Sequence, residues 1–299
     1  MAETFTGHGD SLMWEKNRNK IGKAAIAIIA LTMLTTAFAG CLEGDDTTTV
    51  KIQGSSTVFP IADRCAEIFN QEHDDIQVQV GAPPVGSGGG IDMLGQGQVH
   101  IGDASRAIKQ SERDEYPDVD FTDNPVAADG VAVVVSMEVY EAGVEGLTSE
   151  EVKQIYDRTV TNWQAFGGPD MDIAVYEREE GSGTRDTFME AIYGDDDLTT
   201  NATAAYTSNA EVQSAVGEAD NGIGYVGLGY VDDTSTPAVK LDDVEPTEDT
   251  IKDGSYPINR QLHMYTDGEP SGAVKTFIDF VKSDRGQEIV ADEGFIPLY

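Results

Sequence analysis

The sequence has few basic residues and few cysteines. Lys and Arg together number 19 against 54 Asp and Glu, and the formal net charge is -35 over 299 residues. A nucleic-acid groove or a polybasic membrane patch needs clustered cations, so both are excluded. Two cysteines cannot build a disulfide-stapled scaffold or a cysteine-rich metal site. The acidic residues are spread along the chain, and we interpret this acidity as an adaptation to a halophilic habitat, where salt screens the self-repulsion.

Common catalytic motifs are also lacking. The sequence contains no Gly-x-Ser-x-Gly nucleophile elbow, and its Gly-Lys pair at 22–23 does not belong to a P-loop. The histidines at 73, 100 and 263 do not have the spacing of metal ligands. We therefore expect no metal, no cofactor and no enzymatic activity.

The first forty residues predict a secretion signal. Basic residues at 16–23 precede an apolar run at 24–39, which is shorter than the ~20 apolar residues that a membrane span needs. The residues before Cys41 resemble a lipobox, in which the cysteine is lipid-modified. We predict a signal peptide at 1–40, lipidation at Cys41 and a tether at 41–48, with an uncleaved anchor helix as the alternative. Either arrangement puts the folded part outside the cytoplasm.

One pattern recurs three times in the rest of the chain. A strand is followed by a loop rich in Gly, Ser or Thr and then by a helix, and this alternation predicts an α/β protein. The three units consist of strands at 50–53, 76–80 and 173–176, loops at 54–60, 86–90 and 178–185, and helices at 61–69, 91–94 and 188–192.

These loops have the composition of an anion-binding site. The first N–H groups of a helix have no intrahelical partner, and the helix dipole adds positive charge at that end. Glycine lets the backbone approach a ligand, and Ser or Thr adds a hydroxyl donor. Ser and Thr are also ordinary helix caps, so one such loop is weak support. Three loops, together with Arg106 and Arg178, predict an oxyanion site.

At these loops the sequence resembles the phosphate-binding lipoproteins of ABC importers, within the periplasmic-binding-protein type 2 superfamily. The resemblance covers nearly all of the chain after the signal and implies an α/β fold of two lobes with a ligand cleft between them. The matching segments are GSSTVFPIA at 54–62, GSGGGI at 86–91, IGDASRAIK at 101–109, DGVAVVV at 129–135, TNW at 161–163, REEGSGTRDTF at 178–188, GIGYVG at 222–227 and SDRGQEIVADEGFIPL at 283–298.

The resemblance implies lobe I at 49–129 plus 261–299 and lobe II at 130–260. It also implies capture of inorganic phosphate outside the membrane and delivery to an ABC permease. The protein is then expected to be a monomer, held at the outer face of the membrane by the lipid alone. By position, the implied phosphate ligands are Ser56, Thr57, Val58 and Phe59, the last two through backbone N–H groups, and Ser87, Ser105, Arg106, Arg178, Ser182, Gly183 and Thr184.

One position departs from the family pattern. Some members have an Asp after the Ala-Ser pair, where it accepts the proton of hydrogen phosphate and so rejects sulfate. Here that position is Arg106, and an arginine cannot accept a hydrogen bond. We therefore expect another carboxylate, Asp103 or Asp129, to be the acceptor. Asp103 is two residues before Ser105 and so faces the same side of an extended segment.

Two other functions remain open from the sequence. The nearer alternative is a binding protein for another tetrahedral oxyanion, such as sulfate, molybdate or tungstate. The more distant one is a secreted phosphatase that uses Ser87 or Ser105 as a nucleophile. Such a nucleophile needs a base, and His100 is the local candidate.

Overall fold

The computed structural model describes residues 47–196 and 198–299. The predicted signal at 1–40 and the predicted lipidation site Cys41 lie outside the described residues, as does most of the predicted tether. Thr48, the last residue of the predicted tether, already pairs in the first strand. Among the described residues, no helix has the length and apolarity that crossing a membrane requires.

The chain alternates strands and helices, as the sequence predicts. The strands are β1 (Thr48–Gly54), β2 (Ile76–Val80), β3 (Ile101–Ala104), β4 (Phe121–Thr122), β5 (Pro125–Val135), β6 (Gly146–Leu147), β7 (Ala174–Arg178), β8 (Ala204–Tyr206), β9 (Gly222–Gly227), β10 (Lys240–Leu241) and β11 (Asn259–Asp267). The helices are α1 (Phe59–Glu72), α2 (Gly86–Gly95), α3 (Gln110–Glu115), α4 (Met137–Glu141), α5 (Ser149–Tyr156), α6 (Gly183–Tyr193), α7 (Asn209–Glu218), α8 (Glu248–Lys252), α9 (Gly272–Lys282) and α10 (Asp284–Asp292), with short 3-10 helices at Trp163–Phe166 and Leu228–Tyr230.

A nine-stranded sheet runs through the described residues in the order β2-β1-β3-β11-β5-β9-β7-β8, with β4 paired to β11. Strand β1 lies parallel to β2 and β3, and β7 lies parallel to β8 and β9. Strands β5 and β11 run antiparallel to their neighbours in the middle of the sheet. A small second sheet pairs β10 with β6.

Strand β5 belongs to both halves of the sheet. Its residues 125–130 pair with β11, and its residues 131–135 pair with β9. The hydrophobic clusters change at the same place, since Ala127 packs in one large cluster and Val131 in another. On the return crossing, Ile258 packs in the second cluster and Leu262 in the first. The lobe boundaries at 129/130 and 260/261 stay a prediction.

Helix α1 shows how the sequence produces this packing. Its buried residues Ile61, Cys65 and Phe69 recur every four positions and so form one face against the sheet. Burial raises the pKa of the Cys65 thiol to about 12, with a further contribution from Glu293. Cys65 is therefore a buried cysteine with very little reactive thiolate.

The second Gly-rich loop differs from its prediction. The sequence predicts a loop at 86–90, whereas α2 already begins at Gly86. These glycines permit close packing of backbones, since a Cβ on Gly90 would lie 2.6 Å from the Cα of Gly54. The same displacement occurs in the third unit, where α6 begins at Gly183 rather than at Phe188.

Candidate anion-binding site

The first loop carries two buried hydroxyl residues into the middle of the molecule. Ser56 and Thr57 lie between β1 and α1, and both are almost fully buried. Ser55 organises the turn, because its Oγ accepts from the Thr57 N–H at 3.1 Å and its carbonyl accepts from the Phe59 N–H at 3.0 Å. The Phe59 N–H therefore closes the first turn of the helix, and its role as an anion donor stays a prediction.

The second loop brings Ser87 against Ser105. Ser87 lies in the first turn of α2, and Ser105 directly follows β3. The Ser105 N–H donates to Ser87 Oγ at 3.0 Å, and the two Oγ atoms are 3.3 Å apart. Both residues are buried, so their hydroxyls form one polar pair at the end of the parallel strands.

The third loop reaches this serine pair. Ser182 caps α6, and its Oγ accepts from the Arg185 N–H at 3.3 Å. A Cβ on the next residue, Gly183, would lie 2.3 Å from Ser87 Oγ and 2.6 Å from Ser105 Oγ. The backbone at Gly183 therefore touches both serines, and glycine is the residue that fits.

Two threonines join the first and third loops. Thr57 Oγ1 lies 3.1 Å from Thr184 Oγ1. The amino ends of α1, α2 and α6 therefore meet in one buried region lined by hydroxyl groups. This is the arrangement in which unpaired helical N–H groups and hydroxyl donors can surround one anion.

Arg178 adds an unpaired cation at the end of β7. Its Nε donates to the Tyr206 carbonyl at 3.2 Å and its Nη2 to the Thr207 carbonyl at 2.6 Å. Among the described residues, Arg178 Nη1 is buried and has no hydrogen-bond partner. Burial lowers the pKa of Arg178 to about 10, so the group remains a cation at neutral pH. A buried cation without a carboxylate is costly unless an anion joins it.

Asp103 supplies a buried acceptor. In the described part of the chain, its Oδ1 is buried without a hydrogen-bond partner. Burial raises the pKa of Asp103 well above its usual range. The carboxyl group is therefore suited to share a proton with a ligand that carries one.

The carboxylate of Asp129 is already engaged. Its Oδ2 accepts from Arg260 Nη2 at 2.6 Å, and its Oδ1 accepts from the Leu228 N–H at 2.9 Å. Burial raises the pKa of Asp129, while Arg260 and the hydrogen bonds oppose that shift. Of the two acceptors that the sequence proposes, Asp103 is the one with an unpartnered oxygen.

Carboxylates hold the Arg106 guanidinium, and its role as an anion ligand stays a prediction. Its Nε donates to Asp186 Oδ2 at 2.7 Å, and its Nη2 donates to Glu112 Oε1 at 2.7 Å. Burial opposes the charge of Arg106, but Glu112 and Asp186 outweigh that effect and raise its pKa. The sequence could not indicate these partners, because Glu112 and Asp186 are two of 54 acidic residues.

Comparison with known proteins identifies the family. The PBP superfamily domain matches residues 42–285. The phosphate-binding protein PstS of Bacillus subtilis is 33% identical over 248 residues, which cover 83% of this chain and 80% of that protein. The chain belongs to the PstS family of phosphate-binding proteins. A second PstS relative, from Staphylococcus saprophyticus, is 33% identical over 263 residues, with 83% of this chain and 80% of that protein covered.

Solved structures of similar proteins have the same fold. A phosphate ABC transporter substrate-binding protein of Clostridium perfringens, solved with bound phosphate, has a TM-score of 0.76 at 34% identity and covers 84% of this chain and 100% of its own. An ABC-type phosphate transport receptor of Vibrio cholerae has a TM-score of 0.67 at 30% identity and covers 83% and 100%. The two-lobe periplasmic-binding-protein type 2 fold predicted from the sequence is thereby confirmed.

Two residues that the sequence prediction lacks contact the hydroxyl groups of this candidate site. Arg260 donates to Thr184 Oγ1 at 3.1 Å and to Thr57 Oγ1 at 3.2 Å. Asn209 donates through Nδ2 to Ser56 Oγ at 3.2 Å and to Thr57 Oγ1 at 2.9 Å. The sequence offered one signal for Arg260, because arginine is scarce in this chain. It offered none for Asn209, which lies more than a hundred and fifty residues from Ser56.

Among the residues that the structure describes, no group of three His, Cys, Asp or Glu side chains could hold a metal ion. The site is built instead from hydroxyl, amide and guanidinium donors. Asp103 on β3 adds a buried carboxyl oxygen without a partner among the described residues. The donors can therefore surround an oxyanion.

Proposed function

We propose that this chain captures inorganic phosphate outside the cell membrane and delivers it to the permease of an ABC importer. One observation carries the proposal: the buried donor Arg178 Nη1 and the buried acceptor Asp103 Oδ1 both lack a partner. Hydrogen phosphate offers charged oxygens to a guanidinium and a hydroxyl proton to a carboxylate. Bound phosphate would satisfy both groups, and the names of the PstS relatives support the same ligand.

The proposed contacts come from three helix ends and one arginine. Ser, Thr and backbone N–H donors would hold the phosphate oxygens, and Arg178 would supply the formal positive charge. The proposed ligands are Ser56, Val58, Ser87, Ser105, Ser182, Gly183, Thr184 and Arg178. Thr57 would support Thr184 from behind instead, because its N–H donates to Ser55 Oγ and its Oγ1 lies 3.1 Å from Thr184 Oγ1. Arg106 belongs to the surrounding ion-pair network in this proposal, because Glu112 and Asp186 hold its guanidinium.

Asp103 is the proposed discriminator between phosphate and sulfate. An ionised Asp103 would accept the proton of hydrogen phosphate. Sulfate carries no such proton at neutral pH and would meet the carboxylate with like charge and no hydrogen bond. Arg106 stands where some family members have an Asp, and in this proposal Asp103, three residues earlier on β3, takes over that role.

The proposed function is binding without catalysis. Ser87 and Ser105 bond to each other, and His100 accepts a hydrogen bond from the Lys51 N–H through its Nδ1. Among the described residues, no histidine bonds to either serine. A serine nucleophile without a base within hydrogen-bond reach is not activated, which favours a carrier over a phosphatase.

The remaining expectations complete the proposal. The segment 1–40 would direct secretion, and lipidation of Cys41 would hold the protein at the outer face of the membrane as a monomer. The net charge of -35 would be tolerated in a salt-rich habitat. The distance over which charges act falls to roughly 10 Å at 0.1 M salt and is shorter in brine. Local donors therefore decide the affinity for an anion.

Isothermal titration tests the proposal. Residues 42–299 are titrated with phosphate in high salt, first alone and then with sulfate, molybdate or tungstate as competitor. We expect saturable binding of phosphate at one site and little competition from sulfate. Tighter binding of another oxyanion would show that this oxyanion, and not phosphate, is the ligand. Turnover of a chromogenic phosphate ester would contradict the carrier function.

A further inference from the structure

Asn209 and Arg260 hold the two threonines that join the first and third loops. Asn209 is fully buried at the first position of α7, and Arg260 lies on β11 with its guanidinium on Asp129. Their contacts determine the direction in which each threonine proton points. That direction matters because a hydroxyl binds an anion only when its proton points at the anion.

The backbone fixes the orientation of the Asn209 amide. The Gly227 N–H can only donate, and it lies 3.3 Å from Asn209 Oδ1. The opposite side of the amide, Nδ2, therefore faces Thr57 Oγ1 at 2.9 Å and Ser56 Oγ at 3.2 Å. Each of the two Nδ2 protons is donated to one hydroxyl oxygen.

Thr57 receives protons from two donors. Asn209 Nδ2 is one, and Arg260 Nη2 at 3.2 Å is the other. A threonine hydroxyl has two acceptor lone pairs and one proton. Because both lone pairs are occupied, the Thr57 proton must be donated, and Thr184 Oγ1 at 3.1 Å accepts it.

The two lone pairs of the Thr184 hydroxyl are occupied in the same way. It accepts from Thr57 and from Arg260 Nη1 at 3.1 Å, which occupies both lone pairs. Its own proton can then only be donated, to an acceptor beyond these residues. Thr184 is the second residue of α6, where unpaired helical N–H groups also point.

We propose that Asn209 and Arg260 are positioning residues that impose a one-way hydrogen-bond relay, from Asn209 through Thr57 to Thr184, so that Thr184 can only donate to the bound anion. The proposal rests on the proposed function, since the anion is phosphate. Ser56 is held similarly, because its Oγ accepts from both Nδ2 and the backbone N–H of Asn209. The donors are thus oriented before the ligand arrives, which avoids the cost of reorienting them on binding.

A double-mutant cycle on phosphate affinity tests the relay. We expect Asn209→Ala and Thr184→Val each to lower the affinity about tenfold, the size of one lost hydrogen bond to a charged ligand. Because Asn209 acts through Thr184, the double variant should lose clearly less than the roughly hundredfold that independent effects would give. A merely structural role of Asn209 predicts that the two losses multiply.

The intermediate residue supplies a second readout. In a Thr57→Val background the chain of hydroxyls is interrupted, so Asn209→Ala and Thr184→Val should become independent and their losses should multiply. Thr57→Ser keeps a hydroxyl and should restore the coupling. Asn124→Ala is the matched control, because Asn124 is buried and donates to Thr266 Oγ1 at 3.3 Å, and it should leave the affinity unchanged.

The outcomes separate the relay from the proposed function. If the wild-type chain does not bind phosphate, the proposed function fails and the relay fails with it. If the wild type binds phosphate, the relay alone can still be overturned. This is the result if the losses of Asn209→Ala and Thr184→Val multiply both with the native Thr57 and in the Thr57→Ser variant. Circular dichroism checks the folding of each variant, and Asn209→Ser replaces Asn209→Ala in the cycle if the alanine variant unfolds.

Discussion

Gly183 leaves no room for a side chain beside Ser87, since a Cβ at Gly183 would lie 2.3 Å from Ser87 Oγ. The amino end of α6 is thereby pressed against the serine pair of the second loop. The proposed phosphate site depends on this contact, because it brings donors from both halves of the sheet to one place.

Gly183→Ala is therefore expected to lower phosphate affinity at least tenfold. The added methyl group must turn the Ser87 and Ser105 hydroxyls away or displace α6, and misplaced donors bind a compact anion poorly. Isothermal titration measures the loss. Gly146→Ala is the control, because a Cβ there makes ordinary contacts at 3.5 Å with Lys240, and its affinity should equal that of the wild type. Equal affinity of both variants would show that α6 does not contact the ligand.

Arg178→Ala should lower phosphate affinity by at least tenfold, or about 1.4 kcal/mol. The Arg178 guanidinium has an unpartnered buried nitrogen, so a bound anion gains a charged hydrogen bond there. The matched variant is Arg106→Ala, whose guanidinium is held by Glu112 and Asp186 and which should cost less affinity. Titration of the two variants side by side decides the matter. A larger loss for Arg106→Ala would restore Arg106 as the main ligand.

Asp103→Asn should erode the preference for phosphate over sulfate. The amide cannot accept the ligand proton at the Nδ2 position and carries no charge to repel sulfate. The ratio of the two affinities, measured by competition, should fall at least tenfold. Asp129→Asn, which instead weakens the ion pair with Arg260, should leave that ratio near its wild-type value. Unchanged sulfate rejection in Asp103→Asn would exclude Asp103 as the discriminator.

Sulfate binding should also depend on pH. Burial raises the pKa of Asp103 well above its usual range, so the carboxyl is protonated below that raised pKa and ionised above it. Sulfate needs the protonated carboxyl as a donor, whereas hydrogen phosphate brings its own proton. We expect sulfate affinity to fall as pH rises through the pKa of Asp103, while phosphate affinity falls much less. Titrations over a pH series, with Asp103→Asn as the insensitive control, measure the difference.

Cys65 should resist thiol reagents in the native protein. Its side chain is buried, and its pKa of about 12 keeps the thiolate population very low at pH 8. A chain of residues 42–299 contains no other cysteine, so labelling with a disulfide reagent reports on Cys65 alone. We expect labelling only after denaturation. Rapid labelling of the folded protein would mean that α1 opens readily from the sheet.

The elements that the sequence predicts well are those with local causes. Strand β2 lies at Ile76–Val80 as predicted, because alternation of apolar residues is a property of five consecutive positions. The start of α2 was misplaced since a run of glycines is typical of a loop, and only contact with Gly54 shows why it is helical here. Glycine in that run is selected by neighbouring backbone rather than by helix propensity.

The site was predictable where it is built from loop motifs and not where it depends on distant partners. Ser87, Gly183 and Thr184 lie together as their motifs suggest. Arg106 and Arg260 both required tertiary contacts to be assigned. The partner of Arg260 on the neighbouring strand, Asp129, is 131 residues away in sequence, and no local pattern predicts that pairing.

The ion pair between Arg260 and Asp129 has a mechanical consequence. The two residues are opposite each other on β11 and β5, at the point where both strands pass from one half of the sheet to the other. Opening the protein would therefore bend a hydrogen-bonded ribbon of two strands about one axis. The Arg260 guanidinium contacts Asp129 as well as Thr57 and Thr184, so one side chain links this strand crossing to the first and third loops, and such bending would disturb both sets of contacts.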